Sequence, residues 1–107
     1  MVTVVMVSYN TRELTVQAIS KLIENCSLPL EIIVVDNAST DDTVETLRSN
    51  FPMVKVIQNQ QNVGFGVANN QGFALAAGDN VLLLNTDAFI KAGCIENLLE
   101  TIQFDSK

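Results

Sequence analysis

Histidine is absent from the 107 residues, and the two cysteines, Cys26 and Cys94, stand far apart with no C-x-x-C pair. A zinc site needs imidazole or a thiolate cluster, so zinc is excluded as an organising centre. Both thiols are expected to be buried and reduced. Cations are scarce: six Lys and Arg face twelve Asp and Glu, for a net charge of −6, and basic residues cluster nowhere. Binding to nucleic acid through phosphate neutralisation is excluded on that ground. The same scarcity means that any phosphate ligand must be held by backbone amides or by a metal. No stretch approaches the roughly 20 apolar residues that cross a bilayer. The residues after Met1 lack the basic segment, apolar stretch and small-residue cleavage site of a secretory signal. The expected location is therefore cytoplasmic, free or peripheral to the inner face of the membrane.

Common phosphate-binding motifs are missing too. There is no G-x-x-x-x-G-K-[ST], which excludes a P-loop NTPase. Gly64-Phe65-Gly66 has the opening of a dinucleotide fingerprint, but it follows the third strand, and Asn69 stands where the third glycine belongs. That arrangement speaks against an NAD enzyme. No internal repeat, low-complexity segment or linker interrupts the chain, so a single domain is expected.

What is present is an alternation of apolar runs and helix-periodic stretches. Residues 2–7 (V-T-V-V-M-V) are apolar almost throughout, which suits a strand buried on both faces. Asn10 then opens a helix, with Glu13 as its capping-box partner and Leu14, Ala18, Ile19, Leu22 and Ile23 as its buried stripe. Pro29 lies in the connection to a second strand at residues 32–35. Ser39 or Thr40 caps a second helix, with Asp41 and Asp42 in its first turn and Val44 and Leu47 facing inward. Residues 54–58 form a third strand, interrupted by Lys55 and hence near an edge. A third helix runs from about Gly66 to Ala77 and is closed by Gly78. Residues 81–84 are the fourth strand, and Ile95, Leu98, Leu99 and Ile102 mark a last helix. The pattern β-α-β-α-β-α-β-α with short connections predicts an α/β fold: an open, mostly parallel, Rossmann-like sheet with helices on both faces.

In such sheets ligands bind at the carboxyl ends of the strands, and three polar clusters fall there. They are Ser8, Tyr9, Asn10 and Thr11 after strand one, residues 36–40 (D-N-A-S-T) after strand two, and Asn85, Thr86 and Asp87 after strand four. Each has a plainer reading: Asn10 as a helix cap, Asp36-Asn37 as an Asx turn, Asp87 as the start of the last helix. Their coincidence on one rim favours a nucleotide. Asp36 is placed to accept hydrogen bonds from a base or ribose, and Tyr9 offers a flat ring for a base. Arg12 is the nearest cation for a diphosphate, and Asp87 is suited to Mg2+ or Mn2+.

Four stretches, V-T-V-V-M-V-S-Y-N (residues 2–10), I-I-V-V-D-N-A-S-T-D-D (32–42), N-V-G-F-G-V-A-N-N-Q-G (62–72) and L-L-L-N-T-D-A (82–88), together resemble glycosyltransferase family two, a GT-A fold, and most closely its rhamnosyltransferase-like branch. They span almost the whole chain in order, and they say little about the substrate. The resemblance implies that Ser8, Tyr9 and Asn10 line the nucleotide pocket, that Asp36 contacts the base beside Asn37, and that Asn62, Gly64 and Asn69 flank the nucleotide. It also implies that Asn85 and Asp87 occupy the ends of the D-x-D motif around Thr86. Asp87 would then bind Mg2+ or Mn2+, with Asn85 toward the ribose or the metal's water shell. The implied reaction is an inverting transfer from a UDP- or dTDP-linked sugar to a saccharide or lipid-linked acceptor, of the kind used in polysaccharide biosynthesis.

Two departures stand out. Asn85 replaces a carboxylate, and the family's general base and acceptor site belong to a part of the domain beyond Lys107. Residues 1–107 thus correspond to the nucleotide-sugar-binding part, expected alone to bind donor poorly and to transfer no sugar. An open edge at residues 81–84 is expected to promote self-association. Among rival readings, a sugar nucleotidyltransferase needs a glycine-rich basic loop where Ser8-Tyr9-Asn10-Thr11-Arg12 stands. A phospho-receiver needs paired acids there. A non-catalytic module that kept the fold is the remaining alternative.

Overall fold

The structure is a computed structural model and describes residues 2–26, 29–78 and 80–84. The expected last helix and Cys94 lie outside the described residues. Seven elements alternate: β1 (Val2–Ser8), α1 (Arg12–Asn25), β2 (Leu30–Asn37), α2 (Thr43–Asn50), β3 (Lys55–Asn59), α3 (Phe65–Leu75) and β4 (Asn80–Leu83). The four strands form one sheet in the order β3-β2-β1-β4, and every pair is parallel.

The continuous apolar runs of β1 and β2 are explained by burial on both faces. Alternate residues point to opposite sides. Val2, Val4 and Met6 join Ala18, Ile19 and Leu22 of α1 and Leu47 of α2 in one core. Val5, Ile33 and Val35 join Ala68 of α3 in the other. Helices therefore cover both faces, as the alternation predicts. Strand β3 is the edge that Lys55 signals, and β4 is the terminal strand on the other side among the described residues. No helix among the described residues is long and apolar enough to cross a membrane.

Several local expectations are corrected. Asn10 does not cap α1: the helix starts at Arg12 after Thr11, and no capping bond comes from the Thr11 side chain. Its buried stripe is Thr15, Ala18, Ile19 and Leu22, a set spaced three and four apart, whereas Leu14 and Ile23 flank that stripe and are 43% and 47% exposed. Neither Ser39 nor Thr40 caps α2, which begins at Thr43 after a left-handed Asp42. Cys26 is half-buried rather than buried.

Gly78 does not close α3 either, since the helix ends at Leu75 and Ala76 is extended. Its amide is instead tied to the sheet. Gly78 N donates to Thr3 Oγ1 at 2.9 Å, Thr3 Oγ1 donates to Glu31 Oε1 at 2.6 Å, and Ala77 N donates to the same Oε1 at 2.8 Å. Lys55 Nζ pairs with Glu31 Oε2. This network pins the α3–β4 connection to the amino end of the sheet and gives Lys55 a reason to interrupt its strand.

Burial pushes the Glu31 carboxyl up, but the hydrogen bonds from Lys55, Thr3 and the Ala77 amide outweigh it and hold the pKa at about 2, against an ordinary 4.5. A depressed folded-state pKa contributes stability that is complete above the unfolded value and is lost as pH falls through the folded one. We expect about 2–3 kcal/mol to disappear between roughly pH 5 and pH 2, somewhat less at high salt because Lys55 is half-exposed. Glu31→Gln should flatten that acid slope; urea denaturation of both proteins at a series of pH values checks it. An unchanged slope in the variant would show that other carboxyls carry the acid sensitivity.

Candidate functional site

The chain runs β1 to β2 to β3 on one side and then returns to place β4 on the far side of β1. Strand order thus reverses between β1 and β4, and the carboxyl ends bordering that point are where open α/β sheets bind ligands. The β1–β4 register pairs Val5 with Leu83, and Leu84 N donates to Val5 O at 3.0 Å. Both strands therefore lead their chains toward the same rim. Ser8 lies directly beside Asp36 in the β1–β2 register.

The rim is organised around the Asp36 carboxylate, which is fully buried. Its Oδ1 accepts from Ser8 Oγ at 2.8 Å and from Ser39 Oγ at 2.6 Å, and its Oδ2 accepts from Ser39 N at 2.9 Å. Both oxygens are engaged within the protein. These three bonds make Asp36 the organiser of the rim, and Oδ2, which accepts only one of them, keeps further acceptor capacity. The bond from Ser39 N reaches back three residues to Asp36, one more than in the Asx turn of the plainer reading.

The loop after β1 is laced to the loop after β2. Asn10 N donates to Ser39 Oγ at 2.8 Å, and Asn10 Oδ1 accepts from Thr40 N at 2.8 Å and Thr40 Oγ1 at 3.3 Å. Asp41 closes two helices with one carboxylate. Its Oδ2 accepts from Arg12 N at 3.0 Å in the first turn of α1. Its Oδ1 accepts from Thr43 N at 3.3 Å and from Thr43 Oγ1 in the first turn of α2. Burial pushes the Asp41 carboxyl up, but the Thr43 and Arg12 bonds prevail and lower its pKa. Arg12 Nη1 also donates to Asp41 O at 3.2 Å, so the nearest cation is anchored beside the rim. Asn10, Ala38 and Asp42 all have positive φ. Three left-handed residues in two adjoining loops mark local strain of the kind that collects at functional sites.

A second lattice holds the loop before α3. Asn37 is buried; its Nδ2 donates to Gly64 O at 3.3 Å, and its Oδ1 accepts from Asn59 Nδ2 at 2.9 Å and Val63 N at 3.4 Å. Asn59 and Gln71 exchange hydrogen bonds at 2.9 and 3.0 Å. Asn62 Oδ1 accepts from Gly64 N at 2.9 Å, and Gly64 sits at φ 88, a conformation open to glycine. Asn69 is buried on α3. An open groove of about 450 Å³ lies over the ends of β2 and β3, lined by Ala38, Ser39, Gln58, Asn59 and Gln60.

Of the residues singled out by sequence, Ser8, Tyr9, Asn10, Asp36 and Asn37 lie together on this rim, and Asn62 and Gly64 adjoin it through Asn37. Asn85, Thr86 and Asp87 lie outside the described residues. Among the described residues no group of three or more His, Cys, Asp or Glu is arranged to hold a metal. The rim carboxylates Asp36 and Asp41 are occupied by hydrogen bonds. Mg2+ and Mn2+ take carboxylate and phosphate oxygens while keeping several waters, and Asp87, the carboxylate the sequence offers for such an ion, lies outside the described residues. The sequence reading missed the Asn59–Gln71 pair and the double cap by Asp41. Their signals were a run of three amide side chains, Asn69, Asn70 and Gln71, inside α3 and an acidic residue two before a threonine.

Residues 3–107 match the profile of glycosyl transferase family 2. The chain belongs to that family. Among its relatives, the glycosyltransferase GlyG of Streptococcus pneumoniae is 29% identical over 107 residues, covering 96% of this chain and 35% of GlyG. TarS of S. aureus, crystallised in complex with UDP-GlcNAc, has a similar fold with TM-score 0.80 and 25% identity, over 92% of this chain and 30% of that one. The mannosyltransferase PcManGT of Pyrobaculum calidifontis, in complex with GDP-Man and Mn2+, matches with TM-score 0.74 and 29% identity, over 82% of this chain and 28% of that one. The chain thus spans about a third of the length of these proteins. The GT-A fold expected from sequence is the one these glycosyltransferases share.

Proposed function

We propose that this chain supplies the donor-nucleotide half of a metal-dependent, inverting glycosyltransferase acting on a nucleoside diphosphate sugar. The observation that carries the reading is the reversal of strand order between β1 and β4. It sets the Ser8–Asn10 loop and the Asp36-centred loop beside the exit of the strand that leads to Asn85, Thr86 and Asp87. Tyr9, half-exposed on the rim, offers a flat face to the base. Asp36 acts as a positioning residue, holding Ser8 and Ser39 in place. Asn37, Asn62, Gly64 and Asn69 form the wall beside the nucleotide, where a glycine lets backbone approach closely. Asp87, helped by Asn85, would hold Mg2+ or Mn2+; the ion supplies charge compensation to the departing diphosphate. This role suits a chain of net charge −6 with no basic cluster. The complexes of TarS with UDP-GlcNAc and of PcManGT with GDP-Man and Mn2+ support a sugar nucleotide as donor and a divalent ion as companion.

In the overall reaction an acceptor hydroxyl oxygen attacks the anomeric carbon, the bond from that carbon to the diphosphate breaks, and a base takes the hydroxyl proton. A saccharide or lipid-linked alcohol is the proposed acceptor. Calorimetric titration with UDP, dTDP and GDP, each with and without Mn2+, tests the reading. Binding of at least one nucleotide should depend on the ion, and Asp87→Ala should weaken it by at least about 10–100-fold. Equal affinity with and without the ion, or an Asp87→Ala protein that binds as well as the parent, would remove the metal-centred reading.

A further inference from the structure

We infer that Asn10 is a positioning residue that orients Tyr9 by splinting the first rim loop to the second; its service to the nucleotide rests on the function proposed above. Tyr9 is 51% exposed, so packing holds only part of its ring, and the backbone on either side must set the rest of its orientation. On one side Ser8 is fully buried and bonded to Asp36. On the other, Asn10 makes three hydrogen bonds across to the second loop. Its amide donates to Ser39 Oγ, which in turn donates to Asp36 Oδ1 at 2.6 Å, and its side-chain oxygen takes both Thr40 donors. Tyr9 is thus suspended between two residues that reach the same buried carboxylate.

The choice of residue follows from two demands made at once. A φ of 53 favours glycine, asparagine or aspartate. The splint itself needs a side-chain acceptor for the exposed Thr40 N–H and O–H, which glycine lacks. Only asparagine and aspartate meet both demands, and this fixes the pattern of variants. Preorganising an exposed ring reduces the ordering cost of binding, so loosening it weakens affinity without removing a contact.

Tyr9 is the single tyrosine and the chain has no tryptophan, so ultraviolet emission reports this one residue. The experiment compares the parent chain with Asn10→Gly and Asn10→Asp by fluorescence anisotropy, acrylamide quenching and thermal melting. Affinity for UDP, dTDP and GDP is measured alongside in the presence of Mn2+. Asn10→Gly should lower the anisotropy and raise the quenching of Tyr9, and should weaken the nucleotide that binds by about 3–10-fold. Asn10→Asp should return the Tyr9 signals to parental values. Parental signals in Asn10→Gly, or an Asn10→Asp protein as loose as Asn10→Gly, would overturn the inference. A parent that binds none of the nucleotides, with Tyr9 still loosened in Asn10→Gly and restored in Asn10→Asp, would sink the nucleotide reading and uphold the splint.

Discussion

Asp36→Ala is expected to lose about 2–4 kcal/mol of folding stability, because one buried carboxylate accepts three hydrogen bonds that nothing else in the rim can take. Removing it strands the buried Ser8 hydroxyl and leaves the half-buried Ser39 amide and hydroxyl to water, and an unsatisfied buried group costs about 1–3 kcal/mol. For a domain of ordinary marginal stability, roughly 5–15 kcal/mol, that is a large fraction. Asp36→Asn separates charge from shape. Its Oδ1 still accepts from Ser8 and Ser39, but an amide NH2 now faces the Ser39 N–H, donor against donor, and a smaller loss of about 1–2 kcal/mol follows. Urea titration gives the measurement, with the midpoint falling and the slope unchanged. If Asp36→Ala were as stable as the parent, the carboxylate would be free for a ligand after all, and its assignment as the organiser of the rim would fail.

Gly72 carries the second large effect. It faces β1 from α3, and a Cβ built on it collides with Val5 Cγ1 and lies 3.2 Å from Cγ2. Val5 is fully buried in the central strand and β-branched, so it has little freedom to turn away. Overpacking of this kind costs about 1–3 kcal/mol, sometimes more. It opposes the gain of up to about 1 kcal/mol that replacing a mid-helix glycine by alanine would otherwise bring. We expect Gly72→Ala to be destabilised by about 1–2 kcal/mol and Gly72→Val by about 3 kcal/mol. The reciprocal change identifies the cause. Placing Val5→Ala in the Gly72→Ala background should recover part of the loss, giving a favourable coupling between the two sites. Additive losses would mean that the two residues do not meet.

The fold was legible in the sequence because burial on two faces leaves its mark residue by residue. The nearly continuous apolar runs in β1 and β2 mark strands buried on both faces. Lys55 breaks the third run where the structure has an edge, and the short connections leave little choice but right-handed crossovers. The clustering of Ser8, Tyr9, Asn10, Asp36 and Asn37 on one rim was legible for the same reason, since in a parallel sheet every strand ends on the same side. Helix starts were misjudged because capping was sought within each helix's own flanking residues. For α1 the first-turn acceptor is Asp41, which arrives from the loop after β2, and for α2 the same carboxylate acts from one residue before the cap position rather than from Ser39 or Thr40.

Sequence by itself therefore determined the layer architecture, the edge position of the strand that carries Lys55, and the rim on which polar residues gather, because these depend on the pattern of residues along one chain. Only the tertiary structure decided which polar groups are spent on one another. It turned Asp36 inward, set Asn10 as a brace across 30 residues of chain to Thr40, and matched the missing side chain of Gly72 to Val5. Hydrogen-bond partnership and steric fit are properties of pairs brought together by folding, and no spacing along the chain records them.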